Sequence, residues 1–566
     1  MRKLSFLIIL ILLSAIPFSY VYGQKTTSSI SGYVKDDYGN VIEAANIQIT
    51  DIETGAIFGA VSNKVGHYTV SGLKPGTYQA LCSFIGYQTA TVKGIRLSAS
   101  SDYSLNLVLA QSQQMLGDVV IMENRPHFSE TKTGQTYNID SHTINSLPSA
   151  DRSLLDYTRL SPYSGNDNSM AGMDGRTTKL TIDGAIFTNS MGLSAALPGG
   201  GTPISLDAVQ EMQVAIAPYD VRQSDFAGGS INVITKSGTN DFKATVYSYF
   251  HNQALRGNSV YGGNLGERDK ESKYVTGLTV GGPILKNRIF YFVNLERTSS
   301  PGPITEYRMS SDGIGNSSSL ISRVTEKDMD AFRTALQKYG YDPGSTDLSE
   351  GGTTNDKILA RIDWNISNRH KLMLRGNWTN SSQLFGPNEK STVGSKLAGN
   401  RIGDKAYAFS NNCYTINDLA WSAVAELNSS LGTRGNLGNR LALTVSEVSN
   451  KRSSNSSWFP HIDIMKDGDA FMSAGYELFS NGTGNDVRNW VVSDNLSWSA
   501  GHSDFVFGAS YQYQKVSTNY RMYGTGYYRY SSLEDFANQS RPVAFGLTYA
   551  YDDSDDPPSR VNYGQT

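Results

Sequence analysis

Groups that could make or break bonds are sparse and scattered along this chain. There is no His-Glu-x-x-His run to set a general base beside two metal ligands, and no glycine loop ending in lysine to cradle a phosphate. A nucleophile elbow and any cysteine–histidine arrangement are missing as well. The densest carboxylates, Asp552, Asp553, Asp555 and Asp556, could offer oxygens to calcium, but they lack the Gly and Glu of calcium loops and abut Pro557-Pro558, so they read as a solvated loop. Cys82 and Cys413 lie far apart; a disulfide is permitted if the chain is exported, but the separation favours two unpaired buried thiols. The expectation is therefore no enzyme, with no catalytic residue, no cofactor and no metal site. A formal net charge of −3 and a pI near 6.2 give no basic footprint for phosphates, so nucleic acid is not an expected partner.

The chemistry that remains is main-chain hydrogen bonding, so the elements that carry it come next. Arg2-Lys3, the apolar run Leu4–Ile16 and the small-residue end at Gly23 have the order of a secretory signal, with cleavage expected after Gly23 and residues 1–23 removed. The run is too short to span a bilayer as a helix, which takes about 20 residues. With 33 Tyr and 21 Phe in 566 residues but only 18% charged side chains, the exported part needs surfaces for aromatics.

From Ser28 to Leu109 short alternating runs, Ile30/Gly32/Val34, Ala45/Ile47/Ile49 and Tyr68/Val70, are separated by turns at Asp37–Asn40, Asp51–Gly55 and Lys74-Pro75-Gly76. This is the pattern of a compact antiparallel sandwich. The stretch "SGYVKDDYGNVIEAANIQITDIETGAIFGAVSNKVGHYTVSGLKPGTYQALCSFIGYQT" resembles the carboxypeptidase-regulatory-like domain, a transthyretin-like sandwich that precedes many outer-membrane receptors of the Bacteroidetes type. The resemblance implies no peptidase activity, and the segment's one histidine, His67, reads as a packing or surface residue. The domain is expected over 24–110.

Residues 111–136 read as a linker, Gln/Ser-rich through Gly117, that carries one β-prone run, Asp118-Val119-Val120-Ile121-Met122. Taken alone the run is an edge strand or a peptide recognised by strand addition. Between Tyr137 and Asn240 the pattern becomes mixed α/β: Ser149 or Asp151 is placed to cap a short helix through Tyr157, and "TKLTIDGAIF" reads as strand, Asp183-Gly184 turn, strand. A short helix from Leu206, strands at Met212–Ile216 and Ser230–Thr235, and Gly228-Gly229, where backbone can approach closely, complete it. Residues 204–240 with Thr181–Gly184 resemble the plug domain of TonB-dependent outer-membrane receptors, and "APYDVRQSDFAGGSINVITKSGTN" resembles the Oar-like branch. The resemblance implies a plug over 137–240 whose motif residues are Asp183, Gly184, Asp220, Arg222, Gly228 and Gly229. It also implies that Asp118–Met122 is the energy-coupling segment, the TonB box, that meets a periplasmic TonB-type transducer.

After Asn240 the chain reads as long hairpins with one apolar parity. Phe242, Ala244, Val246 and Phe250 oppose Lys243, Thr245, Tyr247 and Tyr249. Ile358, Ala360, Ile362 and Trp364 oppose Lys357, Arg361 and Asp363, and after a turn at Asn365–His370, Leu372, Leu374 and Trp378 oppose Lys371, Arg375 and Asn377. Phe505, Phe507, Ala509, Tyr511 and Tyr513 oppose Gln512 and Gln514. Extended chain crosses lipid only within a closed barrel, because the bilayer core satisfies no backbone group. Dyad strands of about 9–11 residues joined by turns and long loops fit such a wall better than a soluble sheet. Gly257–Lys270 and Asn380–Gly403 read as loops, Thr325–Tyr339 as a surface helix with Met329, Phe332, Leu336 and Tyr339 on one face, and no second ordinary core is expected. Thr239 to Thr566 leaves room for eight to ten strands, and the tail "DDSDDPPSRVNYGQT" reads as a loop, so the chain is expected to be the front portion of a longer protein or a truncated gene product.

The fold class is thus mostly β: sandwich, mixed α/β plug, partial transmembrane barrel. The expected function is a TonB-dependent outer-membrane receptor importing an extracellular solute of unknown class, with outer-membrane lipid as a partner. The resemblance leaves open whether a surface lipoprotein lid is a further partner, and no ligand-binding residue is assigned. The alternative is a structural or adhesive surface protein without transport.

Overall fold

The computed structural model describes residues 27–111, 119–122, 135–149, 152–188, 196–216, 226–264, 271–388, 392–393, 396–397, 400–432, 435–549 and 560–565. The signal segment, Asp118, Asp220, Arg222 and the acidic quartet lie outside these.

The sandwich is built as its alternation requires. One sheet joins β1 (Ser28–Asp36), β4 (His67–Leu73), β7 (Asp102–Ser104) and β8 (Leu107–Leu109); the other runs in the order β3 (Ile57–Val61), β2 (Asn46–Asp51), β5 (Gly76–Ser83), β6 (Ala90–Leu97), β9 (Val119–Met122). Inward parities supply the core, with Ile30, Val34, Ile47, Ile49, Tyr68, Val70, Tyr78 and Cys82 all buried. Cys82 and Cys413 are both free thiols, and burial pushes each up to about 12. His67 is a packing residue: its ring lies 5.1 Å from Tyr33, and Nδ1 is 3.3 Å from the Ser499 hydroxyl.

A second, mixed sheet follows in the order β10 (Gln135–Asp140), β13 (Val209–Ile216), β14 (Gly229–Thr235), β11 (Lys179–Ile182), β12 (Ala185–Ile186), with β11 and β14 parallel. Its helix at Leu154–Thr158 is capped by Ser153 in a capping box with Asp156 rather than by Ser149, and Asp151 lies outside the described residues. The Ser149 hydroxyl instead donates to Asp156 and accepts from the Arg152 amide at 2.8 Å, so it braces the loop ahead of the cap. The helix expected at Leu206 is a single 3-10 turn, Leu206–Ala208.

Around this domain curves a sheet of ten antiparallel strands. In Gly351–Asn365 and His370–Phe385 the parities separate as expected: Ile358, Ala360, Ile362, Trp364, Leu374 and Trp378 are exposed, while Lys357, Leu359, Arg361, Asp363, Met373, Arg375 and Asn377 are buried. The buried parity is packed by the inner domain, since Phe292, Leu359, Met373, Ala420, Val424 and Val448 of the wall share one apolar cluster with Ile182, Phe187, Met212 and Val233. The sandwich sits at the short-turn end of the wall. The Asn240 amide donates to Glu53 O at 3.0 Å, Asn63 Nδ2 to Gly501 O at 2.7 Å, and Thr69 Oγ1 to Asp504 Oδ1 at 2.9 Å.

Three expectations for this half are corrected. The tail is not all loop, because Arg560–Gln565 pairs with Ser503–Asn519 as the tenth strand. Asn380–Phe385 continues its strand rather than opening a loop, as its partner Tyr414–Leu431 is long enough to hydrogen-bond it throughout. A second ordinary core does exist at the long-loop end. Strands Tyr407–Ala408, Asp469–Ala474, His461–Lys466, Tyr527–Tyr530 and Ala544–Gly546 form one sheet there. The expected helix, Glu326–Gln337, buries Met329, Phe332 and Leu336 against it but leaves Tyr339 half exposed.

Candidate functional site

The inner domain is held in the wall by a buried ionic cluster centred on Asp183. The β11–β12 hairpin needs two consecutive left-handed residues, and Asp183 (φ 46°) with Gly184 (φ 85°) supplies them. That turn places the carboxylate at the end of the β11–β14 pair, where it accepts from Thr235 N at 3.0 Å and Thr235 Oγ1 at 2.8 Å. From the wall, Arg375 Nε donates to Asp183 Oδ2 at 3.0 Å, and Arg361 Nη1 lies 3.9 Å from Oδ1. Arg361 also forks onto Asp363 at 2.8 and 3.0 Å and donates to Thr235 O at 2.8 Å. Arg375 donates further to Ile182 O, Asn377 and Ser422.

Arg361 and Arg375 stand directly opposite each other in register, both facing inward and both buried. Like charges so placed repel and are sustained by an anion between them. The inner domain delivers that anion.

A ring of polar bonds continues the attachment. Asn355 Nδ2 donates to Gly199 O at 2.6 Å, Gly200 N to Asp418 Oδ2 at 3.0 Å, and Thr379 Oγ1 to Pro203 O at 2.8 Å. Ser205 Oγ donates to Glu296 at 2.6 Å, itself held by Lys357 at 2.7 Å, and Ser446 Oγ to Ile186 O at 2.5 Å. Such bonds exchange for water when the surfaces part, so they hold a domain firmly while leaving it removable.

The sandwich joins the same cluster. Lys74 pairs with Asp363, so Lys74, Asp363, Arg361 and Asp183 link all three units. Because Lys74 is partly exposed and Asp363 keeps Arg361, Lys74→Ala is expected to change the grip on the inner domain by less than about 1 kcal/mol. Single-channel recordings of the full-length protein should show no added openings.

The sequence-derived motif divides between two places. Asp183 and Gly184 are in the cluster, whereas Gly228 and Gly229 lie at the far end of β14 from Thr235. A Cβ on Gly228 would meet Met170 O at 2.4 Å there. Asp220 and Arg222 lie outside the described residues. Alternation alone places Arg361 and Arg375 on the polar parity but does not mark them as partners of Asp183. The available signal was two arginines at inward positions on strands joined by a short turn.

At the opposite end of the wall the loop domain is pinned by a second buried cluster. Arg401 forks onto Asp463 at 2.9 and 2.8 Å, Tyr527 OH donates to Asp463 at 2.6 Å, Ser473 Oγ donates at 2.8 Å, and His461 Nε2 lies 3.1 Å away. Burial alone would favour the neutral acid, but Arg401 and His461 hold the Asp463 carboxyl well below the usual carboxylate range.

Comparison with known proteins agrees with this geometry. The outer membrane beta barrel domain model matches residues 234–309 and 317–554, more than half of the chain, and the chain belongs to that family. The carboxypeptidase regulatory-like domain model matches residues 29–110. Among curated proteins, TonB-dependent transporter Oar of Myxococcus xanthus is 26% identical over 249 residues, 41% of this chain and 23% of the relative. Among solved structures, the outer membrane transporter YddB from Escherichia coli superposes with a TM-score of 0.50 at 13% identity, over 76% of this chain and 52% of that one, a likeness of fold. The architecture is that of a TonB-dependent receptor with an N-terminal regulatory-like domain, its place is the outer membrane, and these relatives are transporters rather than enzymes. The chain spans about a quarter of the length of the curated relative and about half that of the solved one.

Proposed function

We propose that the chain supplies the sandwich (24–110), coupling segment (111–136), plug (137–240) and first barrel strands (241–566) of a TonB-dependent receptor. That receptor takes up an extracellular solute at the loop-domain end and imports it when the plug is displaced. The observation that carries this reading is the Asp183 cluster, a folded domain locked into the concave side of a membrane wall by bonds that water can replace. Displacement needs outside work, because the outer membrane holds no ATP; a periplasmic transducer pulling on Asp118–Met122 would deliver it.

In the full-length protein, deleting residues 118–122 is expected to abolish capture of the transducer's periplasmic domain and energised solute accumulation, while leaving the protein in the outer membrane. Transducer capture that survives the deletion would overturn the assignment. Accumulation insensitive to collapse of the proton gradient would overturn energised import.

A further inference from the structure

We propose that the outer edge of β6 is a docking site for the chain's own coupling segment, so that the sandwich and the transducer compete for the same backbone. This rests on the reading of Asp118–Met122 as the transducer-binding segment.

In the structure Val119–Met122 is added to the sandwich as a parallel strand, with Ala90 opposite Val119, Thr91 opposite Val120, Val92 opposite Ile121 and Lys93 opposite Met122. Without it, β6 would be the last strand of its sheet and would present unpaired N–H and C=O groups. No tight turn imposes the contact: residues 110–118 separate β9 from β8, and residues 123–134 separate it from β10. An extended segment joined through long connectors has therefore found a sheet edge by main-chain pairing, the chemistry by which peptides are captured through strand addition.

The pairing also decides where a pull would act. The sandwich is tied to the wall through Lys74 to Asp363, Asn63 to Gly501 and Thr69 to Asp504, and to the inner domain through the Ala99 amide, 3.0 Å from both carboxylate oxygens of Glu211. Force on a docked segment would run through the sandwich into the wall as well as into the plug. Force on a released segment runs along its two connectors, residues 123–134 into β10 and residues 110–118 back into β8, without first loading β6. Docking is thus the resting state, and the transducer takes the segment only when it has left β6. Four paired residues make a short strand, so release is frequent, and apparent transducer affinity is the intrinsic affinity scaled by the released fraction.

The test uses the full-length protein with Lys93→Cys and Met122→Cys, an opposed pair in which Lys93 is exposed. The native thiols Cys82 and Cys413 are buried and do not compete. Oxidation is expected to join the pair and lower affinity for the transducer's periplasmic domain at least tenfold, with reductant restoring it. In the unmodified protein, adding that domain should speed hydrogen exchange of amides in Ala90–Lys93. Failure of the pair to join would overturn the docking, and unchanged affinity after joining, or unchanged exchange at Ala90–Lys93, would overturn the competition. Deletion of 118–122 serves as the control. Binding lost on deletion yet indifferent to the staple removes only the competition, whereas binding that survives deletion removes the underlying assignment and the proposal with it.

Discussion

Asp183→Ala is expected to loosen the inner domain, the proposed plug, by about 3–5 kcal/mol, the range seen when one partner of a buried ion pair is removed. The substitution takes the carboxylate from between Arg361 and Arg375, which then face each other in register inside the wall. Arg361 retains Asp363, but Arg375 keeps only neutral partners, and Thr235 loses the acceptor of both its amide and its hydroxyl. At 1.4 kcal/mol per factor of ten, the open fraction should rise by about two to three and a half orders of magnitude. Planar-bilayer recordings of the full-length protein should turn from rare to frequent openings. Asp183→Glu, which keeps the charge but shifts it by one methylene, should fall between. A closed Asp183→Ala pore would mean that the apolar packing shared by plug and wall carries the closure without the ionic cluster.

Arg401→Ala is expected to cost the loop domain a similar ~3–5 kcal/mol, again by stranding a buried carboxylate. Asp463 would keep Tyr527, Ser473 and His461 but lose the guanidinium fork. Arg401→Lys should restore part of the loss, since it returns the charge without the planar geometry. The pH dependence has a definite sign. The folded-state value of Asp463 is depressed, so its contribution is fully present above the unfolded value near 4 and is lost as pH falls through the folded value. Wild type should therefore hold its loop domain at pH 5 as at pH 7, whereas Arg401→Ala should be most impaired at pH 7 and recover relative to wild type toward pH 4. Protease cleavage between residues 400 and 480 reports this directly. A cleavage rate unchanged by Arg401→Ala at pH 7 would contradict the account.

What was legible in the sequence follows from how strict each environment is. Lipid on one side and a packed domain on the other enforce period two, so Ile358 to Trp364 and Leu372 to Trp378 could be assigned to faces from parity alone. The sandwich announced itself through short runs between turns, and Asp183-Gly184 through the backbone its hairpin needs. The lock was not legible as a pair, because Asp183 and Arg375 are 192 residues apart and nothing local joins them. In the sequence Lys74 shows only as a turn residue, since its partner belongs to another domain. The loop domain shows no period because its sheet is assembled from strands of two to six residues drawn from three separate connections, too short for any alternation to register. Ser149 and Ser153 are equally good caps by residue type, and the choice was made by Asp156, which closes a capping box only with Ser153.

The central claim is that one parity of these strands faces lipid while the other grips a plug. Single cysteines at positions 358, 360, 362 and 364, and at 357, 359, 361 and 363, each carrying a small fluorophore in the full-length protein reconstituted with brominated lipid, test it most directly. The account predicts strong quenching at the even positions and little at the odd ones. Equal quenching at both parities, or none at either, would contradict it.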